Sequence, residues 1–545
     1  MMTKKVLAII LIAIPTIYFS SFRYLADDAV ISYRFCQNLL LGRGLVSYEN
    51  GPHVEGYSNP TLVFLTASIA KLIGATDMTN LLRIGLYLNT LALLLCGWLL
   101  LKWGENDWTW ISAPALIIFF PTHLYRQTGL ETCLYTMFFT LSVYGFSVQK
   151  YRLGFAASLL TALSRPEGIG MALWLTGIFL YRNWRGGRWR PNLRMAFLLL
   201  IIPFGLFLLW RYWYFGQWVS MTSLVKTNLA DRHVYQGRGL YYIFRAITSA
   251  PILIGISALT AVRFLRQKEK AAYEITAVAF QIFFIIAVGG DEWFFERYRF
   301  LLPIFPLLFR SLAVIPEALP RFQSWAVSAL IILVGFYPMC LKSIEIRAVP
   351  WIHEAYHFII GVAPENRLRA LLYPEPWPDE LLSRYLHDHV PHAGRGLILT
   401  CGQAGSMPLH WRGIFHDRVG LVSPEYGLVP GNKHLEVFRA NQPDIYAAFA
   451  EIECHPRPLT GKALSDLPSP SDLDEMGYQP VLIYQNRFPP YAWEGQVGYH
   501  SWCWVFSLYT KNPDLIQIEN PAYYREVHFN GRIITVPVIE NELPA

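Results

Sequence analysis

Residues 4–34 read KKVLAIILIAIPTIYFSSFRYLADDAVISYR. Two lysines precede an apolar run of the length a bilayer-spanning helix needs, about 20 mostly apolar residues. The run ends in an acidic pair, Asp27 and Asp28, and no small-residue pattern of the kind at which signal peptides are cut comes before that pair. The spacing predicts an uncleaved first membrane helix over residues 6–22. Lys4 and Lys5 then hold its start in the cytoplasm, and the carboxylates emerge on the opposite face.

The rest of the chain agrees. Of its 545 residues 53% are hydrophobic and only 16% are charged, and mean hydropathy is +0.29. Soluble domains carry roughly 25% charged residues, so the composition is that of a membrane protein. The 18 Trp, 31 Tyr and 34 Phe exclude a disordered chain, because so much apolar surface offsets the entropy of ordering. At ~100 to 200 residues per domain, two or more structural units are expected. The net charge is 46 − 39 = +7. In a membrane protein that surplus concerns which side of the bilayer holds the cations, and it calls for no nucleic acid partner.

Further apolar runs lie at 82–101, 107–121, 132–148, 152–165, 168–181, 196–214, 240–262, 272–289, 300–315 and 324–342. With the first they predict about eleven spans. Alternating loops then place Lys102, Lys150, Arg152, Arg182, Arg185, Arg188, Arg190, Arg194, Arg263, Arg266, Lys268, Lys270, Arg310 and Arg321 inside. The opposite loops hold Asp27, Asp28, Glu49, Glu55, Glu131, Glu167 and Asp291. The stretch from Pro60 to Gly74 is too short to cross and contains Lys71. Asn59 as N-cap and Pro60 at the first helical position make it a surface helix within one long outer loop, residues 23–80.

After about residue 343 the apolar runs cease and Pro, His, Asp and Glu become frequent. The chain is therefore read as a membrane domain, 1–343, followed by a soluble α/β domain, 344–545. In that domain 396–400 and 480–485 read as strands, and Asp379 to His387 and Pro443 to Ile452 as helices. The run His387, Asp388, His389, His392 has no fourth ligand at a useful spacing and reads as a solvated helix end. Of the seven cysteines, Cys401, Cys454 and Cys503 fall in the outer domain, with Cys454 and Cys503 the preferred pair.

A carboxylate pair at the mouth of a span is expensive unless it faces water, a cation or a substrate. Asp is also a favoured cap, so Asp27 or Asp28 can start a helix from Ala29 to Leu41 that Gly42 ends, while its neighbour reaches inward. Four more polar knots share the outer face: Glu55-Gly-Tyr57-Ser-Asn59-Pro60, Gly129-Leu-Glu131-Thr132, Ser164-Arg165-Pro-Glu167-Gly168, and Gly289-Gly-Asp291 with Arg297 and Arg299 close behind. The helix macrodipole alone rewards any one of them with ~0.3 to 1 kcal/mol. It does not explain their recurrence at the mouths of short spans, which fits a polar cleft dipping into the outer leaflet. Lys226 follows Arg211-Tyr-Trp-Tyr-Phe-Gly-Gln217 on the same side. Cations facing carboxylates at a lipid-accessible cleft suit the holding of a lipid phosphate and the deprotonation of a hydroxyl.

These residues resemble the GT-C superfamily of polytopic glycosyltransferases that use polyprenyl-phosphate sugars, and within it the mycobacterial terminal arabinofuranosyltransferase family and its bacterial relatives. The resemblance rests on DDAVISYRFCQNLLLGRGLVSYENGPHVEGYSNP at 27–60, GLET at 129–132, SRPEG at 164–168, RYWYFGQ with Lys226, and GGD followed by RFLLP at 289–303. It implies a GT-C-like membrane fold with a C-terminal periplasmic domain, in a bacterial inner membrane with the N-terminus cytoplasmic. It implies a lipid-linked donor, an envelope glycan or glycolipid acceptor, and a catalytic aspartate in the first outer loop. Asp27 and Asp28 match that aspartate, Asp27 preferred as general base and Asp28 as partner or metal ligand. Arg34, Glu55, Tyr57, Asn59, Glu131, Arg165, Glu167, Lys226, Asp291, Arg297 and Arg299 are the candidate substrate contacts. The cations among the last of these suit phosphate, which guanidinium matches by paired hydrogen bonds. Asp28 and Glu55 could hold Mg²⁺ or Mn²⁺, which take hard oxygen ligands. The chain departs from the family at Gln217 and Ser220-Met221, where a more acidic loop with Pro and Asn is expected, and this leaves the donor sugar open.

The rival class is a proton-coupled transporter or flippase of lipid-linked sugars. It is disfavoured because the chain has no internal repeat and no carboxylate in mid-span, the usual pointers to transport.

Overall fold

The computed structural model describes residues 27–103, 109–118, 128–185, 189–228, 239–244, 246, 252–267, 271–290, 299–313, 323, 326, 378–402, 404–405, 407–429, 433–453, 468–487, 502–519 and 521–542. The chain divides into two compact units, one of residues 1–26, 58–218 and 230–374, the other of 27–57, 219–229 and 375–545. The acidic segment and a short stretch after residue 218 thus fold with the C-terminal third, which a single boundary at 343/344 does not convey.

The helices are α1 (Asp27–Leu40), α2 (Pro60–Ile73), α3 (Met78–Lys102), α4 (Ser112–Ile118), α5 (Thr132–Ser147), α6 (Tyr151–Ser164), α7 (Pro166–Arg185), α8 (Trp189–Ala196) and α9 (Ile202–Phe215). They continue as α10 (Met221–Asn228), α11 (Ile252–Arg266), α12 (Ala272–Val288), α13 (Phe305–Phe309), α14 (Pro378–His389), α15 (Pro424–Gly427), α16 (His434–Asn441) and α17 (Pro470–Glu475). The strands are β1 (Ile398–Cys401), β2 (Ile414–Asp417), β3 (Ile445–Glu453), β4 (Gln479–Arg487), β5 (Trp502–Thr510), β6 (Tyr523–Phe529) and β7 (Arg532–Glu542).

In the first unit, two helices among the described residues are long and apolar enough to cross a membrane: Met78–Lys102 and Leu193–Phe215. Shorter apolar helices occupy Pro60–Ile73, Ala272–Val288 and Leu302–Leu312. Of the sequence-read spans, 6–22 and nearly all of 324–342 lie outside the described residues. Of the two runs expected to be brief, 152–165 and 168–181, only the first is. The helix α6 has 14 residues, whereas α7 has 20 and reaches ~30 Å at 1.5 Å per residue, because Pro166 and Glu167 open it and it continues to Arg185.

The turn between α6 and α7 follows from SRPEG. Arg165 adopts φ −157° and ψ 152°, the extended conformation that a following proline favours. Pro166 takes the first helical position, where its missing N–H costs nothing. At Gly168 an added Cβ would lie 2.0 Å from the Thr161 carbonyl oxygen, so only glycine lets the two helices meet here. Further along, the hydroxyls of Ser142 and Ser158 stand 2.6 Å apart where α5 meets α6. Phe146, Phe155, Phe179 and Tyr273 then join α5, α6, α7 and α12 in one aromatic cluster.

The second unit carries a seven-stranded sheet of order β2-β1-β3-β5-β4-β7-β6. Strands β1, β2 and β3 are parallel to one another and β4 to β7, while β5 runs antiparallel to β3 and β4. A core of Phe438, Tyr446, Leu473, Tyr478 and Phe529 packs α16 and α17 on this sheet. The strands read at 396–400 and 480–485 and the helix at 379–387 are present as β1, β4 and α14. The helix read at 443–452 is corrected: the chain forms β3 there, paired with β5 from Ile445↔Thr510 to Glu453↔Trp502. Its alanines favour a helix locally, but a central place in the sheet overrides propensity. Cys36, Cys96, Cys133 and Cys401 are buried, and Cys454 lies outside the described residues. In the histidine run, Nδ1 of His387 meets the His410 carbonyl at 2.8 Å and that of His389 the Tyr385 carbonyl at 2.9 Å.

Candidate active site

In the first unit, five of the sequence-read polar residues, Asn59, Glu131, Arg165, Glu167 and Arg299, form one buried network. Asn89, inside α3, donates to the Leu130 carbonyl at 2.7 Å and fixes the GLET turn. That turn presents Glu131 just ahead of α5. Glu131 Oε1 accepts from Arg165 Nη1 at 2.6 Å and from Arg299 Nη2 at 3.0 Å, and its Oε2 accepts from Asn59 Nδ2 at 2.8 Å. Arg165 also donates through Nε to Glu167, and Arg299 through Nε to Thr132 Oγ1 at 3.4 Å. The guanidinium of Arg165 lies over the rings of Phe300 and Tyr135, 5.2 and 5.7 Å from their centroids. Asn59 was read as the cap of α2, but it makes no side-chain cap bond. Its amide serves Glu131 instead.

Among the described residues, the two carboxylates and two guanidiniums of this network balance in charge. Burial alone would raise the Glu131 carboxyl, yet Arg299, Arg165 and Asn59 outweigh it and hold the group down to about 2. Glu131 is thus held ionised as the counter-ion of two guanidiniums. What the network supplies is two guanidiniums in fixed orientation where α5, α6 and α7 begin or end. Sequence reasoning picked its charged members one at a time and missed Asn89, although a lone amide in an apolar helix was the visible signal.

A second ion group was missed. Arg263 donates through Nη2 to both oxygens of Glu274, at 2.9 and 2.7 Å. Arg310 donates to Glu274 and, at 3.0 Å, to the Trp103 carbonyl. All three side chains are buried. Arg263 and Arg310, expected from the sequence only as loop charges, thus tie α11, α12 and the end of α3 together.

In the second unit, Asp27 opens α1 and Asp28 is exposed in its first turn. Arg34 is buried, donating to the carbonyls of Ser47 and Pro408. Glu55 is buried, and its carbonyl accepts from Met221 N at 3.0 Å. Tyr57 is buried edge-on against Phe35 at 5.0 Å. The motif from Glu55 to Pro60 is therefore divided, its first three residues folding with the second unit and its last three with the first. Lys226 belongs to α10. The side chains of Asp27 and Lys226, and all of Asp291 and Arg297, lie outside the described residues. As metal ligands Asp28 and Glu55 differ, one exposed and one buried, and among the described residues no three His, Cys, Asp or Glu side chains gather as a cation would need.

The fold is that of the GT-C glycosyltransferases, as the resemblance implied. Among solved structures, the chain is similar to ArnT from Cupriavidus metallidurans bound to undecaprenyl phosphate, with a TM-score of 0.54 and 9% identity over 94% of this chain and 99% of that one. It is similar also to the oligosaccharyltransferase of Archaeoglobus fulgidus in its apo form, with a TM-score of 0.50 and 9% identity over 98% and 99% of the two chains. The arabinofuranosyltransferase AftD from Mycobacteria matches at 0.43 and 13% identity over 95% of this chain and 40% of its own. No protein-family model and no curated protein sequence matches the chain.

Proposed function

We propose that the protein is a membrane glycosyltransferase that moves a sugar from a polyprenyl-phosphate donor to a cell-envelope glycan or glycolipid on the periplasmic face. The observation that carries this reading is the nearly complete overlap with ArnT, a fold whose solved example holds undecaprenyl phosphate, in a chain that also has the acidic pair at the exit of its first apolar run. The same reading puts about eleven spans in a bacterial inner membrane, with the N-terminus cytoplasmic and the C-terminal domain periplasmic.

In this reaction a carboxylate, Asp27 by preference with Asp28 as partner, takes the proton of an acceptor hydroxyl. The oxygen attacks the anomeric carbon, the bond from that carbon to the phosphate oxygen breaks, and polyprenyl phosphate leaves with the electron pair. A single displacement inverts the anomeric centre. General-base help typically contributes ~10²- to 10⁴-fold, so most of the acceleration must come from positioning and from stabilising the leaving phosphate. Arg165, Arg299, Lys226 and Arg297 are the proposed phosphate contacts. The first two are paired with Glu131 and Glu167, so they would act as oriented donors. Were Asp28 and Glu55 also to hold a divalent cation, Mg²⁺ would restore transfer lost to EDTA.

Purified protein incubated with a panel of radiolabelled polyprenyl-phosphate sugars and envelope acceptors should transfer at least one of them. Asp27→Asn should reduce that transfer a hundredfold or more while donor binding persists, with Asp28→Asn affected less. Unimpaired transfer in both variants rules out the acidic pair, and transport of the lipid without transfer rules out the enzyme.

A further inference from the structure

We infer that Arg34 is a positioning residue, which pins the helix bearing Asp27 and Asp28 to the C-terminal domain and makes that domain part of the scaffold of the acidic motif. The kinetic half of this inference rests on the transferase reading; the structural half does not.

Arg34 lies in α1, two turns beyond Asp27. Its Nε and Nη2 both donate to the Ser47 carbonyl, at 2.9 and 2.7 Å, and its Nη1 donates to the Pro408 carbonyl at 2.5 Å. The side chain is buried and all of these acceptors are neutral. Burying a cation against uncharged partners is unfavourable unless the geometry is well fixed. A guanidinium meant for a ligand would direct its planar fork at the ligand's anion. This fork is directed at two stretches of main chain that are 361 residues apart in sequence, 47 and 408.

Two more contacts bind the same block. At Gly56 an added Cβ would lie 2.6 Å from Val422 Cγ1 and 3.0 Å from the Leu421 carbonyl oxygen, so the motif's backbone is pressed against residues 421 and 422. That loop is ordered by Asp417, whose carboxylate accepts from the amides of Val419, Leu421 and Val422 at 2.9, 2.6 and 3.3 Å. On the other side, Met221 and Val225 of α10 pack with Val54, Val419 and Leu421. The backbone amide of Met221 meets the Glu55 carbonyl. The acidic helix, the Glu55 turn and the helix carrying Lys226 therefore share one support, and Arg34 is its charged strut.

The test is Arg34→Lys in the full chain, which keeps the charge and removes the planar fork. Amide hydrogen exchange over residues 27–57 should rise at least tenfold, while the Kd for undecaprenyl phosphate stays within twofold. With whichever polyprenyl-phosphate sugar the wild type transfers, kcat should fall ten- to a hundredfold at nearly constant KM, the mark of misplaced reacting groups. Unchanged exchange overturns the inference. So does a tenfold rise in KM or Kd with kcat preserved, which would make Arg34 a substrate contact. A wild type that transfers no sugar ends the transferase reading and leaves exchange to judge the scaffold. If Arg34→Lys does not yield folded protein, Met221→Ala loosens the same block from α10 and is judged by the same exchange over residues 27–57.

Discussion

At the scale of single residues, Glu131 joins Arg165, Arg299 and Asn59 in the first unit. Removing one partner of a buried ion pair typically costs ~3 to 5 kcal/mol, because the other charge stays buried without compensation. Glu131→Ala should therefore lower the melting temperature of the full chain by several degrees, and Glu131→Gln, which can still accept from Arg165 or Arg299, by less. Equal melting of both variants and wild type would show that the network adds nothing to stability. The pH dependence has a definite sign. A carboxyl held down to about 2 contributes stability that is present above the ordinary carboxylate range and is lost only as pH falls through about 2. Between pH 5 and 9 the network does not titrate through Glu131, and any acid limb in a pH–rate profile must come from another group.

At the scale of elements, the helix joint at SRPEG and the loop after β2 each invite a test. Gly168→Ala drives a methyl into the Thr161 carbonyl, and overpacking of this kind costs ~1 to 3 kcal/mol or more. The variant should melt well below wild type or fail to accumulate in membranes, whereas normal melting would deny that α6 and α7 meet so closely. In the second unit, burial pushes the Asp417 carboxyl up to about 7 despite the amides of Val419, Leu421, Val422 and Gly420, which favour the ionised form. A group whose value is raised on folding contributes stability fully present below its unfolded value, near 4, and lost as pH rises through about 7. Exchange at 418–422 should accordingly quicken between pH 5 and pH 8.5 beyond its intrinsic base catalysis, and Asp417→Asn should abolish that excess. No excess in wild type would mean that the carboxylate is ionised in the fold.

The same elements show what a sequence discloses. SRPEG was legible because proline and glycine impose local geometry whatever surrounds them. Strand β3 was not, because Ala447, Ala448 and Ala450 favour a helix and only pairing with β5 makes them a strand. Glu131, Arg165, Glu167 and Arg299 stood out singly as charges in apolar surroundings, but their convergence is a matter of tertiary packing. Glu274 went unnoticed since its partners Arg263 and Arg310 were accounted for by loop charge alone.

At the scale of the whole molecule, the division of the chain matters more than the number of spans. Residues 27–57 and 219–229 belong to the same compact unit as 375–545, so the proposed catalytic segment takes its fold from residues more than three hundred positions later. A C-terminal domain that merely captured acceptors could be removed with loss of affinity alone. Here, a chain ended after residue 343 should insert in the membrane, retain the Glu131 network, and transfer no sugar at any acceptor concentration. Protease should cut it within 27–57, where the full chain resists. The two outcomes differ in kind: sugar transfer that survives truncation and saturates at higher acceptor concentration would make the domain a binding module, while loss of transfer together with exposure of residues 27–57 makes it part of the catalytic scaffold.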